Sequence, residues 1–136
     1  MASKKNEGLT IFILDDEKDI AHFVQGFFLK RGFEVHTALN AKVATTLLNK
    51  IHPHIALLDV RLSEKDSNGL EVLKLIKEKF PSCQCLIVSY VDDQRIIAQA
   101  KALGAKGYLK KPLTIPEIEK AVLQLVGSVK EKSSHG

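Results

Sequence analysis

Apolar runs too short for a helix recur five times along the chain, and after each one the apolar residues return every three or four positions. The first run, 9–14, reads Leu-Thr-Ile-Phe-Ile-Leu and predicts a strand covered on both faces. It ends in Asp15-Asp16-Glu17, and from Lys18 a helical stripe takes over through Ile20, Phe23, Val24, Phe27 and Phe28. Arg31 and Gly32 supply a basic last turn and a glycine stop. A half-apolar strand over 33–38 follows. Asn40 is placed to cap a helix running to about Ile51, with Val43, Ala44, Leu47 and Leu48 inward.

The third run, Ile55-Ala56-Leu57-Leu58, is bounded by His52-Pro53-His54 and delivers Asp59 at its carboxyl end. A polar loop over 60–68 leads to a helix over 69–80, marked by Leu70, Leu73 and Ile76 and closed by Pro81. The fourth strand, 84–89, ends in Ser89. Asp92 and Asp93 can open the next helix, which Gly104 ends. A short fifth strand over 107–110 is broken by Lys111-Pro112. Thr114-Ile115-Pro116-Glu117 then forms a capping-box pattern for a last helix that buries Ile118, Ala121, Val122 and Leu125.

Strand and helix alternating five times predict an α/β fold, a doubly wound five-stranded parallel sheet with helices on both faces. In such sheets ligands collect at the carboxyl ends of the strands. Asp15 and Asp16, Asp59, Ser89 and Lys111 all fall at that edge. Three carboxylates brought together repel one another, so positive charge is needed among them. A hard divalent cation such as Mg²⁺ fits, and a hydroxyl with a fixed ammonium suits a phosphoryl group. With Asp59 as nucleophile the product is an aspartyl phosphate.

Composition changes this picture little. The chain of 136 residues is one ordinary domain, and a net charge of +4 spread toward its ends forms no basic stripe of the kind nucleic acid needs. The opening residues show no basic-then-apolar leader, and the apolar runs fall far short of the roughly 20 residues of a membrane span. Cys83 and Cys85 alternate onto one strand face and read as buried thiols, in keeping with a reducing cytoplasm. His52 and His54 are expected to be solvent-exposed loop residues.

With these pieces together, the chain resembles a response-regulator receiver domain of two-component signalling. The likeness rests on Leu14-Asp15-Asp16, Leu57-Leu58-Asp59-Val60, Val88-Ser89, and Gly104-Ala105-Lys106-Gly107-Tyr108-Leu109-Lys110-Lys111-Pro112. It implies a flavodoxin-like (βα)5 sheet of strand order 2-1-3-4-5, with 1–8 a disordered tail, 9–127 the receiver domain and 128–136 a flexible tail. It further implies Asp59 as phosphoacceptor, with Asp15, Asp16, Asp59 and the backbone carbonyl of Arg61 as ligands of Mg²⁺. Lys111, preferred over Lys110 because it precedes Pro112 at an expected cis bond, joins Ser89 on the phosphoryl oxygens. Ser89 and Tyr108 match the hydroxyl and aromatic switch pair.

The implied partners are a sensor histidine kinase or histidine phosphotransfer protein and a downstream effector or output domain. A homodimer through the fourth helix, fifth strand and fifth helix is a further family-level expectation, with no direct contact to nucleic acid or membrane. The module promotes its own phosphorylation and dephosphorylation and is not a turnover enzyme.

Departures from the family pattern are also visible. Tyr90 follows Ser89 where a small residue is usual, and its ring could obstruct the phosphodonor, slow hydrolysis or limit the switch. Ser63 stands where proline is usual, and the loop over 63–68 is longer than usual. Arg61 and Val91 supply no acid to position an attacking water, which favours a long-lived phosphate. Three other readings fit less well. An inert receiver-like interaction module would not need the full set of acids, hydroxyl and lysine. A flavin electron carrier would have its phosphate repelled by Asp15-Asp16-Glu17. A haloacid-dehalogenase-type phosphatase needs a second acid where Arg61 stands.

Overall fold

The computed structural model describes residues 8–60 and 69–135. Within them strands and helices alternate strictly: β1 Thr10–Leu14, α1 Lys18–Leu29, β2 Glu34–Ala38, α2 Ala41–Leu47, β3 Ile55–Leu58, α3 Gly69–Lys79, β4 Gln84–Ser89, α4 Gln94–Ala102, β5 Gly107–Lys110 and α5 Ile115–His135. The strands form one sheet of order β2-β1-β3-β4-β5, every pair parallel. Architecture and strand order are those expected from the sequence.

Period-two alternation divides the strand residues between two cores, one on each face of the sheet. Phe12, Leu14, Ala56, Leu58, Cys85 and Ile87 pack with Ala44 of α2, its C-cap Leu48, and α3 and α4 residues such as Leu73, Ile76 and Ala100. Ile11, Ile13, Leu57, Leu86 and Val88 pack on the opposite face with Val24 and Phe28 of α1 and with Ile118, Val122 and Leu125 of α5. Cys83 and Cys85 are free and buried in the first of these cores.

The helix starts follow their local chemistry. The Asn40 side chain accepts the Val43 N–H at 2.8 Å, and Asp93 accepts the Arg95 N–H at 2.8 Å. Thr114 and Glu117 bond reciprocally, Glu117 N–H to Thr114 Oγ1 at 3.3 Å and Thr114 N–H to Glu117 Oε1 at 3.4 Å. Gly32 and Gly104 leave their helices at φ 93° and 109°, a region glycine enters without steric penalty.

Four expectations are corrected. On α1 the apolar stripe is wider than the buried face: Ala21, Val24 and Phe28 turn inward, while Ile20 and Phe23 are 39% and 65% exposed. Phe27 lies between, its ring under the Arg31 guanidinium at 3.5 Å, and Arg31 pairs with Glu119 of α5 at 2.7 Å. Val43 points outward from α2, and that helix ends at Leu47 because its last turn tightens into Asn49 N–H to Thr46 and Lys50 N–H to Leu47 carbonyl bonds. α5 continues to His135 rather than giving way to a tail at 128, since Val129 is buried in the core and holds the extra turns.

His54, expected to be exposed, is half-buried: its Nδ1 accepts the Thr10 N–H at 3.0 Å, and its backbone bonds Thr10 and Gln84. It thereby ties the entry of β3 to its two neighbours.

Gly69, the first residue of α3, lies against the backbone of Asp59 and Val60. A methyl group on its Cα would collide with the carbonyl oxygen of Asp59 and stand 2.5 Å from Val60 Cα, both backbone atoms that cannot give way cheaply. Gly69→Ala should therefore lower stability by about 1–3 kcal/mol, the usual cost of overpacking, read as a lower urea midpoint. His54 generates a pH dependence. Burial holds its imidazole below the ordinary 6.5, aided by His52 and opposed by Glu34, and only the neutral ring can accept the Thr10 N–H. The unfolded chain takes up this proton at a higher pH than the folded one. The His54 contribution is thus complete above about pH 6.5 and declines as pH falls toward the folded value. An NMR titration placing the His54 ring at or above 6.5 would contradict this.

Candidate functional site

The parallel ladder runs one residue beyond the strands and carries the polar groups into register. Asp15 N–H bonds the Ala38 carbonyl at 3.1 Å, Asp59 N–H the Leu14 carbonyl at 2.9 Å, and Lys111 N–H the Ser89 carbonyl at 2.8 Å. Each residue that follows a buried strand is thus fixed by its neighbour's backbone, and the side chains converge. Asp15, Asp59, Ser89 and Lys111 are all at most 6% exposed, while Asp16 stands on the exposed rim.

One ammonium holds the cluster together. Lys111 Nζ donates to Asp15 Oδ2 at 2.6 Å, to Glu17 Oε1 at 3.0 Å and to Asp59 Oδ2 at 3.2 Å, matching its three donors. The other Asp59 oxygen, Oδ1, accepts the Ser89 hydroxyl at 2.8 Å. Asp15 Oδ1 accepts the Glu17 N–H at 2.9 Å, so this carboxylate also shapes the turn into α1. Lys110 points away and pairs with Asp92 at 2.8 Å, and the Lys111–Pro112 peptide bond is cis.

The electrostatics follow from crowding. Burial pushes the Asp15 carboxyl above its ordinary value, against the hydrogen bond from Lys111. Asp16 is also raised, first by desolvation in the crowded rim and then by the charge of Asp59. Burial alone would lower Lys111, but the hydrogen bonds to Asp15 and Glu17 and the fields of Asp15 and Asp59 outweigh it and hold the ammonium protonated well above the usual lysine range. Carboxylate oxygens of Asp15, Asp16 and Asp59 lie within 4.8 Å of one another. Three hard oxygen donors at that spacing fit a small divalent cation.

Beyond the acids, Ser89 Oγ accepts the Val91 N–H at 3.3 Å, and the half-buried Tyr108 donates its hydroxyl to the Val91 carbonyl at 2.7 Å. Ser89 and Tyr108 therefore meet through one peptide segment and not directly. Arg61 and the loop over 63–68 lie outside the described residues. Sequence reasoning assigned no role to Glu17, although the acidic run Asp15-Asp16-Glu17 was its signal. Nor did it foresee that Tyr90 would bring its ring to 5.2 Å from Lys111 Nζ.

Comparison with known proteins gives the family. The family model for the response regulator receiver domain matches residues 11–123. Sporulation initiation phosphotransferase F of Bacillus subtilis is 31% identical over 112 residues, covering 82% of this chain and 89% of that protein. Transcriptional regulatory protein CrdR of Helicobacter pylori is 36% identical over 110 residues, covering 80% of this chain and 51% of that protein. The chain spans about a quarter to about half the length of several curated relatives it matches. A solved response regulator of Burkholderia pseudomallei, with a phosphorylated aspartic acid, calcium ion and citrate, superposes with a TM-score of 0.77 at 24% identity, over 93% of this chain and 72% of that one. With the fold, the strand-end acids and the family match in agreement, the chain belongs to the response regulator receiver domain family and is a receiver module of two-component signalling.

Proposed function

We propose that Asp59 is the phosphoacceptor of this receiver domain. The observation that carries the reading is the division of labour on its carboxylate: Ser89 donates to Oδ1 and Lys111 to Oδ2. One oxygen attacks phosphorus while the same two donors, each shifting slightly, meet the oxygens of the arriving phosphoryl group. Asp15 and Asp16, with Asp59, would hold a divalent cation, taken to be Mg²⁺, and the backbone carbonyl of Arg61 is proposed as a further ligand. The cation, when bound, offsets the charge that gathers as a phosphoryl group joins three carboxylates. Lys111 fixes positive charge at the opposite side and orients Asp15 and Asp59 through its hydrogen bonds.

The donor on this reading is a sensor histidine kinase or a histidine phosphotransfer protein, and the site of action is the cytoplasm. The response begins at Ser89. When its hydroxyl turns to a phosphoryl oxygen, the Val91 N–H loses its acceptor, and the Val91 carbonyl that holds Tyr108 shifts with it. The surface of α4, β5 and α5 then changes shape, presenting a new face to an effector, an output domain or a second copy of the chain. No helix among the described residues is long and apolar enough to cross a membrane.

Incubation with acetyl phosphate and Mg²⁺ should add one phosphoryl group by intact mass, with no adduct in Asp59→Asn and none when the cation is chelated. An adduct that survives Asp59→Asn would overturn the assignment. Ser89→Ala should still accept phosphate, more slowly, and lose the chemical-shift changes at Val91 and Tyr108 that beryllofluoride induces in the unaltered protein. Full retention of those changes would break the proposed route from Ser89 to Tyr108.

A further inference from the structure

We propose that Glu17 is a positioning residue for phosphoryl transfer: its carboxylate aims the third N–H of Lys111 at the reacting oxygens. The inference rests on Asp59 being the phosphoacceptor. Glu17 is the N-cap of α1, with extended backbone at φ −84° and ψ 93°. Asn, Asp, Ser and Thr suit such a position, because a short side chain there accepts an N–H of the first turn. The Glu17 side chain makes no capping bond. It reaches instead to Lys111 Nζ, where Oε1 accepts at 3.0 Å. Helix α1 thus forgoes a side-chain cap at this position, and the carboxylate goes to the ammonium.

The turn after β1 holds Glu17 in place. Its N–H donates to Asp15 Oδ1 at 2.9 Å, and its carbonyl accepts the Ala21 N–H at 2.9 Å. Two carboxylates of one turn therefore meet one ammonium, through Asp15 Oδ2 at 2.6 Å and Glu17 Oε1 at 3.0 Å. Asp15 grips it from the buried side, and Glu17, its side chain 37% exposed, from the solvent side. A single bond would leave the ammonium free to swing about it. Two bonds from a fixed turn leave the third N–H one direction, and there it meets Asp59 Oδ2 at 3.2 Å. That longest bond is the one exchanged for a phosphoryl oxygen, while Asp15 and Glu17 keep their hold.

In the step concerned, an Asp59 oxygen attacks the phosphorus of a donor such as acetyl phosphate. An O–P bond forms as the bond between phosphorus and the acetate oxygen breaks, and acetate leaves with the electron pair. Lys111 gives up no proton and only directs an N–H at a phosphoryl oxygen. Deleting a donor of this kind typically slows a reaction about 100- to 1,000-fold. Glu17 aims the donor without supplying it, so its loss should slow transfer about three- to ten-fold.

The test measures adduct gain from acetyl phosphate by intact mass, in the full chain at saturating Mg²⁺, where a change in cation affinity does not alter the rate. Glu17→Gln keeps an oxygen acceptor of the same reach and should stay within about two-fold of the unaltered protein. Glu17→Ala has no acceptor and should be slowed by the factor above. Glu17→Ser supplies a capping side chain too short to reach Lys111. It should match or exceed the unaltered protein in urea midpoint and still be as slow as alanine. By NMR, the Lys111 ammonium protons should exchange with water faster in the alanine and serine variants than in the other two proteins. Alanine and serine variants at the unaltered rate overturn the proposal. A faster rate does so as well, since it makes Glu17 a competitor for the ammonium. Glutamine as slow as alanine assigns the effect to charge and overturns positioning through the hydrogen bond. Serine at the unaltered rate with alanine slowed assigns it to the helix start, with the same consequence. No adduct in any variant, the unaltered protein included, overturns the Asp59 reading and the role of Glu17 with it. Glu17 lies outside both cores, so all variants are expected to fold.

Discussion

Everything at the carboxyl edge depends on one buried ammonium. A parallel sheet whose first and third strands both end in aspartate brings like charges together in a place with little water. Left alone, those charges would drive one another to take up protons or push the strand ends apart. Lys111, delivered from the far edge strand, offsets them with three donors directed at Asp15, Glu17 and Asp59. Burial still raises the carboxyls of Asp15 and Asp16, and the charge of Asp59 adds to the shift at both. A site with excess negative charge and hard oxygen donors on its open side is one that a small divalent cation would complete.

The same geometry anchors the polar side chains differently on the two sides of the site. Asp15, Asp59 and Lys111 are each bonded through their backbone to the adjacent strand, so their positions vary only with the sheet itself. The segment after Ser89 is tied differently. Val91 offers its N–H to Ser89 and its carbonyl to Tyr108, and the neighbouring Asp92 pairs with Lys110 of β5. These are a few single contacts, exchangeable at modest cost, between a buried hydroxyl and an outer face. On the route proposed here, a local change at Ser89 would pass to Tyr108 through these contacts and leave the two cores in place.

Much of this was legible in the amino-acid order because it rests on local rules. Short apolar runs and the helical periods between them report strand and helix, and Asn40, Asp93, Thr114 and Glu117 cap their helices through bonds spanning two or three residues. Strand-end placement was enough to collect Asp15, Asp16, Asp59, Ser89 and Lys111 as a group. The choice of Lys111 over Lys110 followed from proline; in the fold Lys111 is buried among acids and Lys110 is paired on the surface.

Other features could be settled only by the folded chain. Periodicity marks an apolar stripe but not how much of it a neighbouring helix covers, so Ile20, Phe23 and Val43 read as buried and are not. His54 finds its partner 44 residues away, Lys111 reaches Asp15 across 96, and Arg31 reaches Glu119 across 88. No spacing rule encodes such contacts. The length of α5 depends on whether Val129 finds a core to enter, and the need for glycine at 69 depends on the backbone of Asp59 that it meets. Sequence determined which residues end the strands, because that is set by local pattern. The tertiary structure alone decided which of them touch, because contact depends on how strands distant in sequence are laid side by side.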